Sequence, residues 1–218
     1  MIRVFLPAAV WLFICLSPVA GFPQNDIGAD AVNGTAVQLV EGLHALLLES
    51  MKAGDRASCR ERFEMLEPYI MKSFDFPLIS RIVLGRWWKK MDLEKRKEFI
   101  DAFSRMTVAT YADRFDSWSG EVFKTVRAGL DSRGHMRVET VLVKKGGEEI
   151  SLDYGCRREG GRWKIVSVSA KGVNDLSVKR ADYSSFLRGH TVDELISRLE
   201  EHVRKCVPAG TEERRQAE

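Results

Sequence analysis

The sequence predicts an α+β domain in which helices come first along the chain and an antiparallel sheet follows. Up to Gly120 the apolar residues recur at the 3.6-residue period of helices, and after it they alternate at the two-residue period of strands. Short glycine turns join the strands and leave no room for crossover helices. We therefore expect N-terminal helices and a C-terminal helix to pack on a curved antiparallel sheet of about four strands. Such a packing readily leaves an apolar cavity between the helices and the sheet.

The N-terminus has the features of a cleaved signal peptide covering residues 1–21. Arg3 supplies a positive start, residues 4–16 form an apolar run interrupted by one proline, and small residues then offer a cleavage site. The run is too short to span a bilayer of about 30 Å comfortably, although an uncleaved anchor is the alternative. Cys15 lacks the preceding small residues of a lipidated cysteine, so we do not expect a lipoprotein. We therefore expect the protein to be exported.

The sequence that follows the predicted signal peptide predicts one domain. Residues 22–35 are expected to be a flexible lead-in, residues 36–204 the folded domain, and the charged residues 205–218 a disordered tail. The formal net charge is only +3 over 218 residues, with basic and acidic residues interspersed. This balance argues against nucleic acid as the main partner, because no long field of one sign exists to collect phosphates. We expect a monomer.

Four helices are predicted before Gly120, where the spacing of apolar residues changes. Each has apolar residues three and four positions apart. Asp92 is expected to cap the longest helix, and Pro77 fits the first turn of the helix before it, where its missing N–H costs nothing. Their expected spans are residues 36–53, 59–70, 77–87 and 93–115.

Four alternating segments then predict strands, joined by turns at Gly146-Gly147 and Gly160-Gly161. A short helix is expected over residues 180–188. The last helix is predicted to start at Thr191, whose hydroxyl forms a capping box with Glu194. The expected strands are residues 121–128, 135–144, 149–158 and 163–170.

Three cysteines follow the signal peptide, which is too few and an odd number for a scaffold built on disulfides. A single bridge between Cys59 and Cys206 is compatible with the pattern, because both lie on predicted helices. Cys156 is expected to be buried in a strand.

Motifs of catalysis and cofactor binding are missing from the sequence. The four histidines show no metal-binding spacing, and neither a nucleophile elbow nor a nucleotide-binding glycine loop is present. We therefore expect no enzyme, no cofactor and no metal site. The alternative is a small α+β enzyme that uses Asp75 or Asp153 as its general base. Asp75 also suits the simpler role of a helix cap just before Pro77.

Residues 74–120 hold nine of the twenty aromatic residues and neither histidine nor cysteine. So much apolar surface without reactive groups is typical of a protein that holds an apolar ligand, or of a large core. Trp87 and Trp88 are adjacent on a predicted helix, so at most one is deeply buried. The other, with Lys89 and Lys90, is a candidate contact for a partner or a membrane surface. A pure interaction module of this kind would have a filled core without ligand space.

Several segments, in this order and spacing, make the chain resemble the MlaC or toluene-tolerance family. Further segments resemble its hopanoid-associated branch, HpnM, most closely. The family segments are Phe74–Phe76, Leu84–Trp88, Phe99–Tyr111, Gly172-Val173 and Tyr183–Phe186, and the branch segments are Met106–Ala112, Arg114–Asp116, Ser119–Glu121 and Asp175–Arg180.

The resemblance implies a soluble periplasmic lipid carrier. Its cargo would be a phospholipid or, from the branch, a hopanoid. Its partners would be an inner-membrane ABC-type transporter complex and an outer-membrane or RND-type lipid complex. On this interpretation we expect residues from both layers to line the lipid-binding cavity. They are Phe76, Ile79, Val83, Trp87, Phe103, Met106 and Tyr111 from the helices, and Val138, Thr140, Leu142, Leu152, Tyr154 and Ile165 from the sheet. Alternation alone does not choose which sheet face is inward.

Overall fold

The computed structural model describes residues 29–208, and within them the helices and strands follow the predicted order. The predicted signal peptide and the last ten residues lie outside the described residues. The helices are α1 (Ala29–Ala53), α2 (Cys59–Ser73), α3 (Phe76–Leu84), α4 (Leu93–Arg114), α5 (Asp175–Phe186) and α6 (Val192–Cys206). The strands are β1 (Val122–Leu130), β2 (Met136–Val143), β3 (Glu149–Glu159), β4 (Arg162–Ala170) and β5 (Val173–Asn174). Short 3₁₀ helices cover Gly54–Arg56 and Gly85–Lys90.

Side-chain caps explain where several helices begin. The hydroxyl of Ser58 accepts the Glu61 N–H and the Glu61 carboxylate accepts the Ser58 N–H, which forms a capping box at the start of α2. Asp92 caps α4, as predicted. The predicted capping box of Thr191 and Glu194 starts α6. These caps satisfy backbone donors that a helix leaves unpaired in its first turn.

Two helices begin earlier than the sequence predicts. α1 starts at Ala29 rather than at residue 36, and it accommodates Gly34, whose cost of about 1 kcal/mol in a helix is readily overridden by the rest of the helix. α5 starts at Asp175 rather than at residue 180, because the Asn174 side chain accepts the Ser177 N–H and caps a turn that carries no strong apolar pattern.

α3 ends earlier than predicted. It stops at Leu84 because Gly85 adopts a φ of +54°, a backbone conformation that favours glycine. Trp87 therefore lies in the 3₁₀ helix Gly85–Lys90 and not in α3. Both Trp87 and Trp88 are half-buried there.

The sheet is an antiparallel meander in the order β1-β2-β3-β4-β5, as the glycine turns predict. Its fifth strand, β5, has two residues and was not predicted. Gly160 and Gly161, in the turn between β3 and β4, both have positive φ, so that turn requires glycine. A bulge interrupts the pairing of β3 with β4: Cys156 pairs with Ile165, but Gly155 pairs with Ser167, leaving Val166 as the extra residue.

The helices cover one face of the sheet. Alternate residues of β2 and β3 are buried, whereas their neighbours remain partly or fully exposed. The buried set includes every sheet residue predicted to face the helices, and its members on β2, β3 and β4 are Met136, Val138, Thr140, Leu142, Leu152, Tyr154, Cys156, Trp163 and Ile165.

A disulfide joins Cys59, the first residue of α2, to Cys206, the last residue of α6. The bridge that the sequence allows is therefore formed. Cys156 is a free thiol, fully buried in β3, and its burial raises its pKa to about 12. It therefore stays protonated at neutral pH and is not a reactive thiol.

Candidate functional site

An apolar cavity lies between β4 and the helices α3, α4 and α5. Its volume is about 30 Å³, close to the space of one water molecule in the liquid. Most of the wall is aromatic or aliphatic. The lining residues are Phe74, Phe76, Ile79, Phe103, Thr107, Tyr111, Val166, Ser167, Val168, Asp175 and Leu176.

The first wall of the cavity is the start of α3, and contacts of Asp75 determine where this helix lies. The Asp75 side chain is 1% exposed; one of its oxygens accepts the Leu78 N–H at 3.0 Å, and the other accepts from the Arg157 guanidinium at 2.7–2.8 Å. The Asp75 N–H donates to the carbonyl of Ile165 at 2.9 Å. The start of α3 is thereby attached to β3 and β4, which places Phe76 and Ile79 over the sheet.

The same contacts bear on the two carboxylates considered as general bases. Both oxygens of Asp75 are engaged in capping and ion pairing, and Asp75 is not among the residues that line the cavity. Asp153 pairs with Arg137 at 3.0 Å on the other face of the sheet from the buried Tyr154. Neither carboxylate has the geometry of a base beside a substrate cavity.

The second wall is one face of α4. Phe103, Thr107 and Tyr111 are spaced four residues apart and so lie along one stripe of the helix. The Thr107 hydroxyl donates to the Phe103 carbonyl at 2.9 Å, which satisfies its hydrogen bond inside the helix. Burial raises the pKa of the Tyr111 hydroxyl, so it stays neutral. This wall presents no charge to the cavity.

The third wall is the bulged segment 166–168 of β4. Beyond the bulge, Val168 pairs with Tyr154, a residue of the buried sheet face. A Cβ on Gly155 would approach the Ser167 hydroxyl to 2.4 Å, so a larger residue opposite the bulge would require the Ser167 side chain to rotate away. The bulge changes which β4 residues reach the cavity.

The N-terminal turn of α5 closes the cavity with Asp175 and Leu176. Asp175 is the one carboxylate among the lining residues, and it pairs with Lys179 at 3.2 Å. Tyr183 is the buried residue of α5 and contacts the rings of Phe99 and Phe103. Leu176 and Phe186 pack against the core beside it, so α5 is held by one buried and two partly buried apolar side chains.

Aromatic rings continue from the cavity through the layer between helices and sheet. Phe74 contacts Phe76 and Tyr111 with ring centres 5.6 and 6.1 Å apart. The series runs on from Tyr111 through Phe115 and Phe123. Offset and edge contacts of this kind stabilise aromatic clusters. The cavity is thus one part of a longer apolar and aromatic seam.

The far end of this seam holds a buried histidine. His44 stacks on Phe123 with ring centres 4.0 Å apart, and its Nε2 lies 3.0 Å from the Tyr154 hydroxyl. Burial lowers the pKa of His44 to about 4, so the ring is neutral at neutral pH. It is a structural histidine, as the sequence predicts. Within residues 29–208 no group of histidine, cysteine or carboxylate side chains is arranged to hold a metal ion.

The structure brings some of the expected lining residues together and leaves others apart. Phe76, Ile79, Phe103 and Tyr111 line the cavity. Val83 and Met106 are buried elsewhere in the core, and Trp87 lies under the side chains of Arg86 and Lys90. The predicted sheet residues are buried in the same layer but do not line the cavity: Val138, Thr140, Leu142, Leu152, Tyr154 and Ile165.

Sequence reasoning missed several lining residues for identifiable reasons. Thr107 lies four residues from both Phe103 and Tyr111, so helical spacing could have found it. Val168 was missed because the bulge shifts the alternation of β4 by one residue. Asp175 and Leu176 were missed because the predicted α5 started after them.

Comparisons with known proteins agree with this architecture. The family profile described as "MlaC protein" matches residues 43–201, well over half of the chain. A phospholipid-binding protein from Ralstonia solanacearum, solved in complex with a phospholipid, has a TM-score of 0.67 and 18% sequence identity. That match covers 79% of this chain and 98% of the other. No curated protein matches the chain. Within residues 29–208, none of the helices has the length and apolar character that crossing a membrane requires.

Proposed function

The chain belongs to the MlaC family, and from that premise we propose that it is a periplasmic lipid carrier. The carrier shields the acyl part of a phospholipid in the layer between helices and sheet, and it performs no chemistry on the lipid. The observation that supports this most directly is the cavity itself, whose walls are aromatic and aliphatic and hold one paired carboxylate at the edge.

Shielding alone accounts for the energetics of such a carrier. Each methylene group removed from water contributes about 0.8 kcal/mol, so an acyl chain in an apolar seam is strongly stabilised. Aromatic and aliphatic walls suit this task. A headgroup left near solvent costs little, because it keeps its contacts with water.

A cavity of about 30 Å³ has to enlarge before it holds a lipid, since sites for small organic ligands span roughly 300–1,000 Å³. We propose that α5 is the wall that moves. Its first turn closes the cavity, and Tyr183 is its buried anchor. The acyl chains would then extend along the aromatic seam past Tyr111 and Phe115.

Shuttling of the lipid between membranes is the further part of the proposal. A carrier without a nucleotide site relies on energised partners, which in this family interpretation are an inner-membrane ABC-type complex and an outer-membrane or RND-type complex. The phospholipid bound to the Ralstonia protein favours a phospholipid cargo. A hopanoid is the alternative cargo, on the sequence resemblance to the HpnM branch.

A pure interaction module is the competing function, and it predicts a filled core. The small cavity volume is compatible with that alternative, so ligand uptake is the decisive property. Leu176→Trp places a large ring at the cavity wall, whereas Val178→Trp places the same ring on the same helix at a position that is 53% exposed.

We expect the parent chain to take up a pyrene-labelled phospholipid from vesicles, measured by the loss of pyrene excimer emission. Leu176→Trp should reduce uptake at least several-fold, and Val178→Trp should leave it unchanged. Equal uptake by all three proteins would contradict binding in this cavity. No uptake by the parent would favour the interaction module.

A further inference from the structure

A basic patch surrounds the two adjacent tryptophans at the end of α3. Residues 81–96 hold six basic and two acidic residues, so their net charge of +4 exceeds the +3 of the whole chain. The patch consists of the side chains of Arg86, Lys89, Lys90, Arg96 and Arg180.

Distances show that the patch is continuous. The Arg86 guanidinium and the Lys90 ammonium lie 5.1 and 4.7 Å from the ring centre of Trp87. The Arg96 guanidinium lies 5.1 Å from the Trp88 ring, and its Nε donates to the Trp88 carbonyl at 3.2 Å. Three of the five cations therefore lie against the two indoles.

Arg180 joins the patch from α5. Its guanidinium lies 3.5–3.8 Å from the position that a Cβ on Gly85 would occupy, and Gly85 directly precedes Arg86. α5 and the 3₁₀ helix Gly85–Lys90 thus contribute cations to one surface.

The cations of the patch are free to meet an external anion. Within residues 29–208, none of the five pairs with a carboxylate, whereas nearby acidic side chains are engaged elsewhere: Glu94 pairs with Lys97, and Asp92 caps α4. Arg86, Lys89, Lys90 and Arg180 are exposed. Leu93, which is 69% exposed, lies one helical turn from Arg96 and adds an apolar group at the edge.

We propose that the basic patch docks the protein on the anionic phosphate layer of a bilayer. Several separately held cations without carboxylates suit a plane of phosphates, which need not match them one by one. Indole rings and an exposed leucine suit the boundary between headgroups and acyl chains. A docked carrier would also bring α5 to the bilayer, because this helix contributes Arg180 to the patch and Leu176 to the cavity wall; this consequence rests on the proposed function.

The test is flotation of the full chain with phosphatidylglycerol–phosphatidylcholine vesicles and with pure phosphatidylcholine vesicles. We expect binding to the anionic vesicles only, and weakening as salt screens the charges. Each basic side chain near an anionic membrane surface raises the affinity about five-fold. The variant Arg86→Gln/Lys89→Gln/Lys90→Gln should therefore bind anionic vesicles about 100-fold more weakly than the parent.

A matched control removes three exposed cations elsewhere: Lys124→Gln/Arg133→Gln/Lys145→Gln. Its affinity for anionic vesicles should stay within about two-fold of that of the parent, because these charges lie outside the patch. Leu93→Gln keeps the charge and should weaken binding several-fold. Circular dichroism of each variant checks that it is folded, and Leu93→Gln alone tests the proposal if the triple variant is not.

Three results would overturn the proposal. In the first, the parent binds anionic and phosphatidylcholine vesicles equally. In the second, the folded patch variant binds anionic vesicles as tightly as the parent, and in the third, the control variant loses as much affinity as the patch variant. A parent that ignores the vesicles but binds an acidic protein through these cations would also overturn it. Lipid content, measured separately by mass spectrometry, distinguishes these failures from a failure of the carrier function, since none of the five cations lines the cavity.

Discussion

Individual polar residues in this protein have structural roles that could be mistaken for catalytic ones. The Asp75 carboxylate is buried beside a cavity, yet it caps α3 and binds Arg157. His44 is buried in the aromatic seam, yet it is neutral and contacts the Tyr154 hydroxyl. In both cases the surroundings explain the buried polar group fully, since each has a partner that offsets its loss of contact with water.

His44 should make stability depend on pH. Its folded-state pKa of about 4 lies below the ordinary histidine value of 6.5, so the unfolded chain takes up the proton first as the pH falls. The stabilisation is complete above pH 6.5 and is lost towards pH 4, by about 3 kcal/mol in total. Urea unfolding between pH 7 and about pH 5 measures how the free energy of unfolding depends on pH, before the carboxylates titrate.

His44→Gln should flatten this slope, and His135→Gln, at an exposed position, should retain it. His202 contributes in the same direction, because burial also lowers its pKa. An unchanged slope in His44→Gln would contradict the role assigned to the buried ring.

At the scale of the elements, local signals decided which boundaries were predictable. The caps at Asp92 and Thr191 and the glycine turns of the meander are encoded within a few residues, and they formed where expected. The end of α3 depends on the positive φ of Gly85, which the apolar pattern through Trp87 conceals. The bulge at Val166 depends on pairing with another strand, which no local pattern shows.

The disulfide is the covalent link between elements, and its removal should be costly. Cys59 and Cys206 are 147 residues apart, so the bridge restricts the unfolded chain strongly. Cys59→Ser/Cys206→Ser should lower the free energy of unfolding by about 4 kcal/mol, measured in urea.

A reductant provides the control for that measurement. It should lower the unfolding midpoint of the parent and of Cys156→Ala, which retains the bridge, but not that of the double variant. A parent midpoint that does not respond to reductant would count against the stabilising role of the bridge.

On the scale of the whole molecule, the sequence predicted the layers better than the site. Alternation and helical spacing identify which residues are buried, and the six predicted sheet residues are indeed buried: Val138, Thr140, Leu142, Leu152, Tyr154 and Ile165. They do not tell which part of the buried layer keeps a cavity. That depends on where α5 begins, on the bulge in β4 and on how Asp75 attaches α3 to the sheet.

The whole molecule therefore combines an apolar cavity with a basic patch, and α5 contributes a residue to each. We propose that this shared helix couples the docking of the protein to the opening of its cavity. For the proposed movement of α5, we expect the disulfide and the helix caps to keep the rest of the core in place.

Native mass spectrometry of the purified full chain, expressed with export in a Gram-negative host, tests the central claim most directly. The account predicts one phospholipid or hopanoid per protein, released on denaturation and identified by its mass. A protein that is free of lipid and also takes up none from vesicles would contradict it.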